Sequence, residues 1–336
     1  MKKIISILMV ALIAVSCIFA QGSTDAAPAE GGIKGRTIRF STTSSEGTTL
    51  VDAMHMFADK VAELSNGKIK VEIYPSSQLG DGPQALQNCQ LGVQEMTMTQ
   101  PSYLASNGAK EFTAVCLPYV FRNLEHQDAV IHGLVGEELL ATAQPSGTRL
   151  VGVGFWSEGA RNFFTKTPVK SFEDMKGLKI RCMQNAVDTM MVKALGASPT
   201  PIAFSELYSA IQTGVVDGGE NPLDGIYSSK FYEVCKHVTI DEHSNIPTVI
   251  VFSEVIWNQM STEERQIVLD AWKSVAATNL KLVQEGEAKY RKALQEAGCS
   301  IYELSDKAKW QDAMEPIYKE FGSDCQAFLQ KIKNVK

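Results

Sequence analysis

The longest helical pattern in the chain constrains everything else. Ser261-Thr262-Glu263-Glu264 forms a capping box, in which serine and glutamate satisfy each other's backbone donors at a helix start. From Ile267 to Leu294 apolar residues recur at helical spacing with no proline and, apart from Gly286, no glycine. Ending near Gly298, the helix would hold about 37 residues and run about 55 Å. That exceeds the width of one small lobe. The pattern therefore predicts a helix that braces two bodies, its polar stretches crossing exposed ground.

The rest of the sequence supplies two such bodies. From Thr37 the order is strand, helix, strand: "TIRFSTT" alternates, Leu50 to Leu64 carries an amphipathic stripe, Asn66-Gly67 stops it, and "KIKVEIY" alternates again. A helix near Pro83–Leu91 and a short strand at "EMTMT" follow. This opening is a parallel βαβ arrangement. A second series begins near Arg149 with "RLVGVGFW" and "GLKIRCM" as strands. A helix from about Ala186 to Leu195, a helix in "FSELYSAIQTG" closed by Gly214, a short strand at "VVDG" and a doubly buried strand at "TVIVFS" complete it. Two α/β units in 336 residues, 44% of them apolar, make two lobes with substantial cores.

The N-terminus reads as a targeting signal. Lys2-Lys3 precedes the apolar stretch Ile4 to Val15, too short to span a bilayer and suited to a signal peptide over residues 1–20. "AVSC" resembles a loose lipobox and makes Cys17 a lipidation candidate; "IFA" at Ala20 is the alternative cleavage site. Residues 21–36, rich in Ala, Pro, Gly and Ser, form a tether. The protein is thus expected outside the cytoplasm. The formal charge of −6 falls to about −8 without the two lysines, with no basic block for nucleic acid. Six further cysteines show neither CxxC pairing nor zinc spacing and read as isolated buried thiols.

Nucleophile, Walker and dinucleotide motifs are absent, and the five histidines are scattered. No catalytic residue, metal or cofactor is assigned, and an enzyme is not expected. Polar groups gather instead at the carboxyl ends of predicted strands, where open α/β sheets bind ligands. Arg181 ends one strand, followed by Gln184 and Asn185. Asp217, Glu220 and Asn221 follow "VVDG", Arg161 and Asn162 follow "GFWSEGA", and Thr42, Thr43 and Glu46 follow the first strand. An arginine fork suits a carboxylate, and Asn and Gln suit hydroxyls. Arg181 reads equally as an anion ligand or as a structural ion pair to Asp217 or Glu220.

Five segments, "YPSSQLGD", "LPYVF", "MKGLKIR", "GASPTPIAFSELYSAIQTGVVDGGENPL" and "KFYEV", resemble the solute-binding subunit of tripartite ATP-independent periplasmic (TRAP) transporters, nearest the sialic-acid-binding branch of the C4-dicarboxylate-binding-protein-like family. The resemblance implies a periplasmic-binding-protein-like α/β fold: two lobes, a hinge and a long C-terminal lobe-spanning helix. On that reading 37–158 and 247–286 form lobe I, and 159–246 and 287–336 form lobe II. It implies capture of an organic anion by a monomer and its delivery to a membrane permease. The family's carboxylate-binding arginine falls on Arg181, its pocket asparagine on Asn221, its phenylalanine on Phe204 and its aspartate on Asp81. Gln184 stands where sialate binders have Asn. Gln100 and Tyr103 replace the Glu and Arg of the sialate loop, which argues against sialate. "EGARNFF" resembles sugar-acid binders, with Arg161 reaching the pocket and Glu46 and Asp81 accepting hydroxyl protons. A sugar acid such as a uronate is ranked above a C4-dicarboxylate, for which Arg161 would be the second cation. A sensor subunit and a sugar-acid hydrolase or lyase are the other classes. Trp156 either stacks on a sugar or fills the hinge, and Asp81 either lines the pocket or caps the helix starting at Pro83.

Overall fold

A computed structural model describes residues 32–336. The signal, the Cys17 site and nearly all of the tether lie outside the described residues. Two sheets carry the fold. The first has the order β2-β1-β3-β10-β4, built from β1 (Arg36–Ser41), β2 (Ile69–Tyr74), β3 (Met96–Thr99), β4 (Leu150–Trp156) and β10 (Thr248–Ser253). The second has the order β11-β9-β5-β8-β6-β7, built from β5 (Arg161–Thr165), β6 (Lys179–Cys182), β7 (Ser198–Pro201), β8 (Gly218–Asn221), β9 (His237–Ser244) and β11 (Ser300–Glu303). β1 pairs parallel with β2 and β3, as the βαβ opening requires, and β6 pairs parallel with β7 and β8. β10 and β5 run antiparallel to both of their neighbours.

The chain passes between the sheets at 157–160 and again at 245–247. The long helix, Thr262–Glu296, makes a third crossing. Its 35 residues span about 52 Å. Ile267, Val268, Ala271 and Val275 enter the core of the first lobe, packed on Phe40, Phe57 and Trp156. Tyr290 and Leu294 enter the core of the second, with Phe164, Leu207 and Phe231. Between them the buried Asn279 clasps the first crossing, accepting from Ser157 N–H at 2.6 Å and donating to Ser157 C=O at 3.2 Å. Gly286 is required one turn later but one: a Cβ there would stand 2.5 Å from Thr49 Cγ2. Gly154 plays the same part on β4, where Trp272 of the long helix lies on the bare backbone. The C-terminal helices bring Trp310, Met314, Ile317, Phe328 and Ile332 into a core shared with Phe155 of the first sheet and Phe163 of the second.

Local sequence and structure part at three places. The short strand expected at "VVDG" begins only at Gly218, so Glu220 and Asn221 lie within β8 and not after it. "FSELYSAIQTG" divides into a tight turn, Phe204–Glu206, and a helix, Leu207–Gln212. β5, β7, β9 and β11 have no counterpart in the sequence reading: "SPTP" lacks an apolar alternation and "HVTIDEHS" carries it only at Val238 and Ile240, and both are held as strands by their neighbours. The six cysteines of the described residues are free and buried, and burial pushes the Cys182 and Cys235 thiols up to about 11 and about 12.

Candidate functional site

The carboxyl ends of β1, β3, β6 and β8 converge between the two sheets. The segments leaving them (Thr42–Ser45, Gln100, Met183–Gln184, and Pro222 with Asp224 and Gly225) line one cavity. It encloses about 790 Å³ of empty space, counting its open mouth, a size suited to a small organic molecule. Leu50, Met98, Tyr103, Met183 and Phe204 supply apolar wall, while Arg161 and Arg181 are the cations among its described lining residues. The lobes meet around it: Ser45 and Ser229 hydroxyls lie 3.0 Å apart, and Ser205 donates to Asp81 at 3.0 Å. Asp224 accepts from the Thr49 N–H at 3.0 Å and its hydroxyl at 2.8 Å, so a residue beside β8 meets a free first-turn N–H of the opposite lobe's helix Thr49–Leu64, whose N-cap is Thr48.

Arg181 is the third residue of β6 and only 2% exposed. Its Nε donates to Ile202 C=O at 2.9 Å. Its Nη1 is buried with no hydrogen-bond partner, 3.7 Å from Glu220 Oε1, too far for a hydrogen bond. The Phe204 ring lies 5.6 Å from its guanidinium carbon. Burial holds Arg181 below its ordinary value, with Glu220 only partly opposing. Asp217, the other candidate partner, instead accepts from the Lys179 N–H. A buried cation with an unmet donor is costly unless an anion arrives to use it.

Arg161, at the start of β5, is fully engaged. Its Nε and Nη2 clamp the Glu220 carboxylate, and its Nη1 donates to Glu158 Oε1 at 2.5 Å. Burial pulls Arg161 down, but Glu220 and Glu158 outweigh it and hold the group above its ordinary value. Glu220 is opposed by burial yet drawn down to about 2 by Arg161 and His243. His243 Nε2 stands 3.6 Å from Glu220, and its Nδ1 stands 2.7 Å from Asp241. Burial lowers His243, but Asp241 and Glu220 lift it to about 9. Burial raises the Glu158 carboxyl, with Arg161 opposing.

Of the nine residues singled out in the sequence, Arg181, Arg161, Asn221, Gln184, Phe204, Asp81, Gln100 and Thr43 line this cavity. Glu46 does not: it pairs with His55 at 3.1 Å on the surface, two-thirds exposed. The loop after β1 turns back at Gly47 (φ 83°), carrying Glu46 away from the cleft. Trp156 packs between Phe40 and Phe57 in the core and fills the hinge side of the sheet. Asp81 precedes the helix Gly82–Gln90 but makes no side-chain cap; Ser77 and Ser205 occupy its carboxylate. Gly225 has no Cβ because Asn221 Oδ1 occupies that position, 1.9 Å from where it would be. Sequence reasoning missed Glu158, Asp224, Thr248 and the supporting His243. "SEGAR" gave the only available hint, an acid three residues before an arginine.

The family model for bacterial extracellular solute-binding proteins, family 7 (DctP), matches residues 40–324. The sialic acid-binding periplasmic protein SiaP of Vibrio cholerae is 33% identical over 86% of this chain and 89% of its own. The C4-dicarboxylate-binding periplasmic protein DctP of Rhodobacter capsulatus is 30% identical over 84% of this chain and 85% of its own. A TRAP periplasmic solute-binding protein from Bradyrhizobium, solved in complex with α/β-D-galacturonate, superposes with a TM-score of 0.84. It is 34% identical and covers 89% of this chain and all of that one.

Proposed function

The chain belongs to family 7 of the bacterial extracellular solute-binding proteins, the solute-binding subunits of TRAP transporters, and from that premise we propose that its cleft captures a sugar acid of the uronate type. The carboxylate seats on Arg181. The observation that carries this reading is the buried, unpartnered Nη1 of Arg181 at the wall of the cavity. A ligand carboxylate there completes a charge-assisted hydrogen-bonded pair in a desolvated place. Asn221, Gln184, Gln100, Asp81 and Thr43 are disposed to meet hydroxyls, and Phe204 packs beside the carboxylate. The galacturonate complex of the Bradyrhizobium relative supports the ligand class.

Residues 37–158 with 247–286 move as one lobe and 159–246 with 287–336 as the other. Ligand favours the closed arrangement by its differential affinity for it. The closed monomer delivers the acid to membrane permease subunits on the extracytoplasmic side. Mass spectrometry of the mature chain tests lipidation at Cys17. A C4-dicarboxylate fits less well, because Arg161, its second cation, is already occupied by two carboxylates of the protein.

Isothermal titration with D-galacturonate, D-glucuronate, succinate and sialate tests the assignment. A uronate binds the wild type most tightly, and Arg181→Ala loses roughly 2–5 kcal/mol of that affinity. Retention of uronate affinity within twofold in Arg181→Ala removes the arginine from the site.

A further inference from the structure

The cavity wall is richer in acid than its guest requires. Asp81, Glu158 and Asp224 line it, Glu220 stands directly behind, and only two guanidinium groups face them among the described residues. A site built for an anion should carry surplus cation. Glu158 is the residue that spends it. It lies on the first crossing between the sheets, 7% exposed, with Oε1 on Arg161 Nη1 at 2.5 Å. Its Oε2 receives Thr248 Oγ1 and Gln100 Nε2, each at 3.3 Å. Glu220 takes the other edge of the Arg161 fork. Without Glu158, Arg161 Nη1 would present a second positive donor to the cavity.

We propose that Glu158 sets the charge the cleft accepts: by occupying Arg161 it leaves Arg181 alone to receive a carboxylate, so that the site takes singly charged polyhydroxy acids and rejects the matching diacids. This rests on the sugar-acid reading and adds to it the identity of the far end of the ligand. A hydroxyl placed toward Glu158 donates into a carboxylate and is favoured. A second carboxylate placed there meets like charge at short range in a desolvated wall, with no free cation to answer it. Specificity of this kind comes from a repulsive element as much as from an attractive one.

D-galactonate and galactarate share chain length and hydroxyl configuration and differ at C6, a hydroxymethyl in one and a carboxylate in the other. Titration of the wild type with both, and with neutral galactitol, reads the two claims separately. Galactonate should bind at least 100-fold tighter than galactarate, and galactitol should show no measurable binding. Glu158→Gln keeps the shape and removes the charge; the galactonate to galactarate ratio should fall at least tenfold through a gain for the diacid. Wild-type binding of both acids within threefold overturns the inference while leaving the sugar-acid reading intact. So does a ratio unchanged within twofold in a folded Glu158→Gln, checked by its melting transition. Galactitol binding as well as galactonate, or no binding of galactonate, galactarate or either uronate, overturns the reading and the inference together, and uronate binding with neither galactonate nor galactarate bound overturns the inference alone. The wild-type comparison stands whether or not the variant folds.

Discussion

Two buried arginines face one cavity and have opposite fates. Arg161 opens β5 where the chain leaves its crossing between the lobes, and the crossing contributes Glu158 while the neighbouring strand β8 contributes Glu220. It donates to Glu220 and Glu158 and is balanced by the protein itself. Arg181 belongs to the end of a parallel strand, where side chains leave the sheet toward open space. It has one backbone carbonyl and a donor with no partner. The same side chain is fully paired within the protein in one place and keeps an unpartnered donor in the other. Burial alone does not separate them, since both are under 4% exposed. What separates them is whether the donors are spent.

Replacing each arginine tests that division. Arg161→Ala strands the buried Glu220 and Glu158 carboxylates, and the fold should lose about 3–5 kcal/mol, the usual cost of removing one partner from a buried pair. Denaturant unfolding of the unliganded protein measures it. Arg181→Ala gives up only the hydrogen bond to the Ile202 carbonyl and a 3.7 Å approach to Glu220, so unliganded stability should fall by no more than about 1 kcal/mol while acid binding collapses. Equal stability losses in the two variants would erase the distinction.

A smaller effect belongs to the contact that joins the lobes beside the cavity. Asp224→Ala removes the acceptor of Thr49 N–H and hydroxyl, a first-turn partner supplied from the opposite lobe that adds to the Thr48 cap. The loss should be about 1–2 kcal/mol in the unfolding of the closed, liganded protein. If opening releases this contact, the variant also shifts the equilibrium toward the open form. Small-angle scattering of the unliganded variant reads that shift, and an unchanged radius of gyration confines the contact to a local role.

How much of this was legible in the chain follows from range. The long helix was, because a capping box and an uninterrupted stripe are local, and Thr262–Glu296 falls within the predicted span. The parallel opening was, because alternation and helical spacing are local too. The direction of Arg181 out of β6 follows from its place at the strand end. What was not legible depends on residues far apart. β9 becomes a strand only between β5 and β11. Glu158 and Glu220 are 62 positions apart and meet only on Arg161, so no pattern shows that its charge is spent. Glu46 looked equivalent to Thr43 until the turn at Gly47 carried it outward. His243 was one scattered histidine among five, and only the pairing of β9 with β5 places it behind Glu220.

That histidine sharpens the contrast at its weakest point, the pH dependence of the Arg161 network. His243 faces Asp241 on its own strand and Glu220 across the sheet, with Phe163 against its ring. Its folded value of about 9 lies above the roughly 6.5 of an unfolded histidine. A raised histidine contributes stability that is fully present below about pH 6.5 and is lost as pH rises through about 9. Glu220, held at about 2, stays ionised across this window, and Asp188, raised to about 6 by burial and Glu220, has given up its proton before pH 7. Between pH 7 and 8 His243 is the largest single contributor to the slope and should cost the wild type about 1 kcal/mol over that unit, with the raised buried thiols adding a smaller loss of the same sign. His243→Gln should flatten the slope while lowering stability at pH 6. Arg181→Ala should leave most of the slope in place, because Arg181 reaches the network only through its 3.7 Å approach to Glu220. An unchanged slope in His243→Gln would take the histidine out of the account, and a slope that disappears in Arg181→Ala would mean that the two arginines are electrostatically one site.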